Sequence, residues 1–130
     1  MILLDTHVVL WLAFEPEKVT RKAHKRISEA RSANEELAVS GITLLELATM
    51  ASKGRFQVAM RIEQFLEEVE AAFTVLPFTA RASARTLELP DDYPRDPADR
   101  IIGATALAEG STLVTADQSI IRSGAVPVVW

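Results

Sequence analysis

Short apolar runs alternate with longer amphipathic stretches along the chain. Ile2-Leu3-Leu4 is uniformly apolar and stops at Asp5-Thr6, which reads as a buried strand with a helix start behind it. Leu37–Ser40 ahead of Gly41, Phe73–Leu76 ahead of Pro77, Thr112–Thr115 and Val126–Val129 have the same form. Helices are expected over Val8–Phe14, Val19–Arg31, Thr43–Ser52, Val58–Glu70, Thr79–Leu87, Pro97–Glu109 and Asp117–Arg122. In the second, Ala23, Ile27 and Ala30 share a side; in the fourth, Ile62, Phe65, Leu66 and Val69 do. Lys53-Gly54-Arg55 and Gly110 supply helix ends, and Glu88–Arg95, with Pro90 and Pro94, is expected to be a loop.

Strand–helix alternation of this kind implies an α/β fold, a three-layer α/β/α sandwich around a mostly parallel sheet of about five strands. In such sheets ligands bind beyond the carboxyl ends of the strands. That edge is where Asp5, just after the first strand, and Asp117, two residues past the fourth, belong. Glu46 and Asp99 fall in the first turns of helices and reach the same edge.

Composition narrows the chemistry. The 130 residues suit one domain, 1–130, and 48% are hydrophobic, enough for a core. Cysteine is absent, which excludes disulfides, thiolate nucleophiles and cysteine-held zinc. The start lacks a basic n-region and no apolar run could span a bilayer, so a cytoplasmic protein with no membrane partner is expected. A net charge of −4 is unusual for a nucleic-acid binder. Setting four acids aside for a metal balances the remaining acids against the fourteen Lys and Arg. Six of those bases cluster at Lys18, Arg21, Lys22, Lys25, Arg26 and Arg31, either a solvated helix face or an RNA-binding one.

Each acid alone could be a helix cap. Thr43-Leu44-Leu45-Glu46 has the form of a capping box, and Asp96-Pro97 that of an N-cap with a first-turn proline. Asp5 and Asp117 could each cap the adjoining helix on their C-terminal side. Four carboxylates at one edge would repel each other, and Asp5 ends a fully apolar strand, where an unpaired carboxylate is costly. A divalent cation resolves both problems. An all-oxygen set selects Mg²⁺ or Mn²⁺, one or two ions, and suits phosphoryl chemistry.

Leu4-Asp5-Thr6-His7, Thr43-Leu44-Leu45-Glu46, Asp96-Pro97-Ala98-Asp99-Arg100 and Thr115-Ala116-Asp117, in this order and spacing, resemble the motifs of PIN domains, in particular VapC-like toxins of type II toxin–antitoxin modules. The resemblance spans essentially the whole chain. It implies an RNA endonuclease using Mg²⁺ or Mn²⁺, with Asp5, Glu46, Asp99 and Asp117 as catalytic and metal-holding acids. It also implies a homodimer and a cognate antitoxin whose tail covers the site. Thr6 and Thr115 match hydroxyl positions that orient the acids. Asp96 could support the centre or only cap its helix, and Arg100 could hold phosphate or a site carboxylate or be surface. Lys18, Arg21, Lys22, Lys25, Arg26 and Arg95 are the candidates for the RNA backbone.

Two other functions compete. A Mg²⁺ phosphatase with Asp5 as nucleophile would carry a second Asp two residues on, where this chain has His7. A non-catalytic partner-binding module would need the acids only as caps. His7 and His24 are expected to be structural and solvated respectively, and Trp11 and Trp130 to pack.

Overall fold

The computed structural model describes residues 1–130. Five strands form one all-parallel sheet in the order β3-β2-β1-β4-β5. The strands are β1 (Ile2–Leu4), β2 (Leu37–Ser40), β3 (Thr74–Leu76), β4 (Thr112–Val114) and β5 (Val128–Val129). The helices are α1 (Thr6–Phe14), α2 (Arg21–Ser32), α3 (Gly41–Ser52), α4 (Ile62–Ala72), α5 (Ala80–Arg85), α6 (Pro97–Glu109) and α7 (Gln118–Ser123). The expected three-layer architecture is present, and no helix is long and apolar enough to cross a membrane.

β1 is central because all three of its residues are apolar and can be buried on both faces. Strand alternation sends Ile2 and Leu4 into a core shared with α1, α2, α3 and α4, including Ile27, Leu47 and Phe65. Leu3 points the other way, into a core with Ile102 and Ala106 of α6 and Ile120 of α7. The chain lays down β1, β2 and β3 to one side and then crosses to place β4 on the other side of β1. That reversal opens a crevice at the carboxyl ends of β1 and β4.

Several boundaries differ from the sequence expectation. α3 starts at Gly41, capped by Ser40, whose hydroxyl accepts from the Ile42 N–H. Thr43 is therefore inside the helix and fully buried, and Thr43 to Glu46 is not a capping box. α4 starts at Ile62 rather than Val58: Phe56, Val58 and Met60 pack on the core from an irregular segment, so apolar periodicity there reflects burial without helix. Thr20 caps α2 and Thr79 caps α5, and α5 gives way to a 3₁₀ turn at Thr86–Glu88.

The expected loop 88–95 contains a core residue. Tyr93 is 1% exposed, and its hydroxyl donates to the Asp99 carbonyl oxygen at 2.8 Å. Its ring lies on Gly103, where a Cβ would overlap the hydroxyl oxygen and sit 2.6 Å from Cζ. A glycine in mid-helix costs about 1 kcal/mol against alanine. Here it gives the tyrosine room to hold the first turn of α6.

Candidate active site

The crevice draws acids from four elements. Asp5 precedes α1 and is 7% exposed. Its Oδ1 accepts from the Thr6 N–H at 2.8 Å and its Oδ2 accepts from the Thr115 hydroxyl at 2.6 Å. The Thr115 oxygen also accepts from the Asp117 N–H at 3.1 Å, so one buried hydroxyl ties the ends of β1 and β4 together. Asp117 caps α7, with Oδ1 accepting from the Ser119 and Ile120 N–H groups.

Glu46 arrives from α3. The Thr6 hydroxyl donates to its Oε1 at 2.5 Å. With its one proton committed there, Thr6 accepts from the Thr43 hydroxyl 3.0 Å away. The relay Thr43 to Thr6 to Glu46 explains why two threonines are buried in helices, where they gain little as caps. Asp99 lies in the first turn of α6 and makes no side-chain hydrogen bond. Asp96 caps α6 by accepting from the Ala98 N–H at 2.9 Å.

Asp5, Glu46, Asp96, Asp99 and Asp117 line a single cleft of about 410 Å³. His7, Trp11, Arg55 and Ala116 complete its lining. Crowding shows in the acidities. Asp99 is pushed up to about 7, first by burial and then by repulsion from Asp5, Asp96, Asp117 and Glu46. Burial raises Asp5 and Glu46 as well, against the opposing pull of the Thr115 and Thr6 hydrogen bonds. Caps alone require neither convergence nor repulsion.

The donor set suits a hard divalent cation: it is all oxygen, half-buried and over-charged. As the side chains stand, no three of them surround a common point at ligand distance. Glu46 is held by Thr6, Asp5 by Thr115 and the Thr6 N–H, and Asp117 by its cap, so gripping an ion requires side-chain rotation. The chemistry of the set outweighs this arrangement, because a cation relieves the burial and repulsion that raise Asp99.

The basic candidates are placed unevenly. Lys18 is exposed, 2.8 Å from a Glu15 oxygen and 5.9 Å from the centre of the Trp11 ring. Trp11 packs on Trp130 as expected, yet also faces the cleft. Arg21 and Lys22 are exposed in the first turn of α2, Lys25 is exposed beside Glu29, and Arg95 is exposed in the loop before α6. Arg26 is a correction: both its terminal nitrogens bond Glu35 at 2.8 Å, and Glu35 also takes the Met1 ammonium at 3.1 Å. Met1 and Glu35 precede β1 and β2, so Arg26 braces the sheet edge opposite the acids. Arg100 donates to the Thr86 carbonyl at 2.9 Å, holds the 3₁₀ turn and pairs with no site carboxylate. His24 bonds the Pro16 carbonyl oxygen at 2.8 Å.

Sequence reasoning misses Arg55, the one arginine on this rim. Its signal is Lys53-Gly54-Arg55, which in sequence marks only a helix end.

An all-parallel sheet with this order and an acidic crevice at its reversal point is the arrangement of a PIN domain. The family profile of the PIN domain matches residues 2–125, and the chain belongs to that family. It is 36% identical over 119 residues to Ribonuclease VapC22 of Mycobacterium tuberculosis, covering 92% of this chain and 88% of that protein. Its fold is similar to that in the crystal structure of VapBC2 from Rickettsia felis bound to a promoter DNA fragment. That match has a TM-score of 0.76 and 21% identity, over 98% of this chain and 97% of the other. DNA-bound VapBC from Salmonella typhimurium matches with a TM-score of 0.70 and 22% identity, over 98% and 95%.

Proposed function

We propose that the chain is a metal-dependent RNA endonuclease, the toxin of a type II toxin–antitoxin pair, with Asp5, Glu46, Asp99 and Asp117 holding Mg²⁺ or Mn²⁺. One observation carries the proposal: carboxylates from four separate elements share one cleft, where burial first and their mutual repulsion second push Asp99 up to about 7. Similarity to a ribonuclease over 92% of the chain supports RNA as the substrate. The toxin–antitoxin complexes that share the fold support a small antitoxin as partner, and the family resemblance supports a homodimer.

When bound, the ion supplies positive charge that acidifies an attacking water and steadies the oxygen leaving phosphorus. Thr115 and the Thr6 backbone fix both oxygens of Asp5. Thr43 and Thr6 hold Glu46 by one oxygen and leave the other free. A carboxylate of the cluster takes the proton of the water as the P–O bond forms.

The test is cleavage of total RNA by antitoxin-free protein with Mg²⁺ or Mn²⁺, with EDTA, and with Asp5→Asn beside the wild type. Mn²⁺ binding by titration calorimetry runs in parallel. Cleavage that needs both the ion and Asp5 is expected. Metal-independent cleavage, or full activity in Asp5→Asn, refutes the proposal.

A further inference from the structure

Arg55 is a cation at the rim of a cleft lined by five carboxylates, yet its side chain forms no ion pair and no hydrogen bond. The backbone beneath it is fixed. Gly54 takes φ 70, its N–H donates to the Ala51 carbonyl at 3.0 Å, and the Arg55 N–H donates to the Met50 carbonyl at 3.0 Å. These are the two bonds of a Schellman turn, and they deliver Arg55 from a rigid helix end.

A second cleft, of about 450 Å³, adjoins the first and shares Glu46, Arg55 and Asp96 with it. Its remaining lining includes Lys53, Thr49 and Leu45, the last 61% exposed. Charge changes along this path. Carboxylates dominate the first cleft, whereas Lys53 and Arg55 balance Glu46 and Asp96 in the second. A polyanion lying across the acids needs compensating cations beside them, and a guanidinium fork grips phosphate in a fixed geometry.

We propose that the second cleft is the track for single-stranded RNA flanking the cut bond, with Arg55 holding the phosphate beside the scissile one and Lys53 the next. This rests on the RNA-cleavage proposal. Lys53 and Arg55 act through binding, not through the chemical step.

The experiment measures binding of a fluorescein-labelled RNA of about 12 nucleotides by anisotropy. It uses Asp99→Asn protein, with Mg²⁺ present, as the non-cleaving parent. Salt is varied from about 50 to 200 mM. Adding Arg55→Ala is expected to weaken binding about fivefold and to reduce the slope of log K against log salt by about 0.7, one phosphate contact on a single strand. Arg55→Lys should recover the slope, and thermal melting should match the parent because the side chain has no partner to lose. Unchanged affinity and slope overturn the track. So does an unchanged slope together with altered Mn²⁺ affinity in the Arg55→Ala single variant, which keeps Asp99; that pair of results makes Arg55 a counter-ion of the carboxylates. In wild-type protein, binding with an Arg55-dependent slope but no cleavage refutes the nuclease and leaves the track standing. Cleavage with Arg55-independent binding does the reverse.

Discussion

Replacing Asp99 by Asn should make the metal-free protein more stable while abolishing Mn²⁺ binding and RNA cleavage. The carboxyl of Asp99 is shifted from 3.8 to about 7 by burial and four neighbouring acids. For an acid raised in the folded state, the folded form holds its proton more tightly than the unfolded form. Its stabilising effect is complete below about pH 4 and is lost as pH rises through about 7. At ~1.4 kcal/mol per tenfold in acidity, the full shift corresponds to roughly 4 kcal/mol of destabilisation at pH 8. Asp99 is only half-buried, and solvent screening reduces this to about 1–2 kcal/mol. For a chain of this size that is a Tm rise of about 3–8 °C in the variant. The assay is calorimetric melting in EDTA at pH 5 and pH 8, then at pH 8 with Mn²⁺. The variant should lead at pH 8, its lead should be less than half as large at pH 5, and Mn²⁺ should raise only the wild type. A variant equal to or less stable than wild type in EDTA at pH 8 would refute the repulsion argument.

Thr115→Val removes the hydroxyl that joins Asp5 to the Asp117 backbone. It should cost about 1–3 kcal/mol and raise the Mn²⁺ concentration needed for half-maximal binding, with Thr115→Ser restoring both. Gly103→Ala drives a Cβ into the Tyr93 ring and should destabilise by about 1–3 kcal/mol in urea unfolding. Tyr93→Phe should not rescue it, because Cζ also overlaps the new atom. Arg26→Ala should lower Tm at pH 7 but leave RNA cleavage intact. Glu35, held down to about 2 chiefly by Arg26, contributes stability above its ordinary value of 4.5, so the Tm deficit should shrink as pH falls towards 2.

The sheet and the acids are legible in the sequence because each rests on local signals that agree: an apolar triplet, a polar stop, and a carboxylate at the strand end. Thr43 shows where local logic misleads. Its spacing to Glu46 satisfies a capping rule, but Ser40 starts the helix three residues earlier and turns Thr43 inward to Thr6. The basic run looks like one face in sequence, although α2 is long enough to carry Arg26 to the opposite edge of the sheet. Tyr93 cannot be found from a segment of prolines and aspartates, since its burial depends on a glycine ten residues later. Arg55 is hidden differently: a Schellman turn is visible in sequence as a glycine, but the direction it gives the next side chain is a property of the assembled fold.

The bond from Thr115 to Asp5 spans 110 residues. It also marks when the acidic centre can exist. A growing chain that has not yet delivered β4 leaves β1 with one neighbour instead of two, Asp5 without its hydroxyl, and the cleft without Asp117. Because the two halves of the crevice come from opposite ends of the matched region, a chain stopped before β4 lacks the assembled acidic centre. Synthesis therefore acts as a safety catch on the proposed activity, which needs Thr115 and Asp117 to have emerged and folded against Asp5.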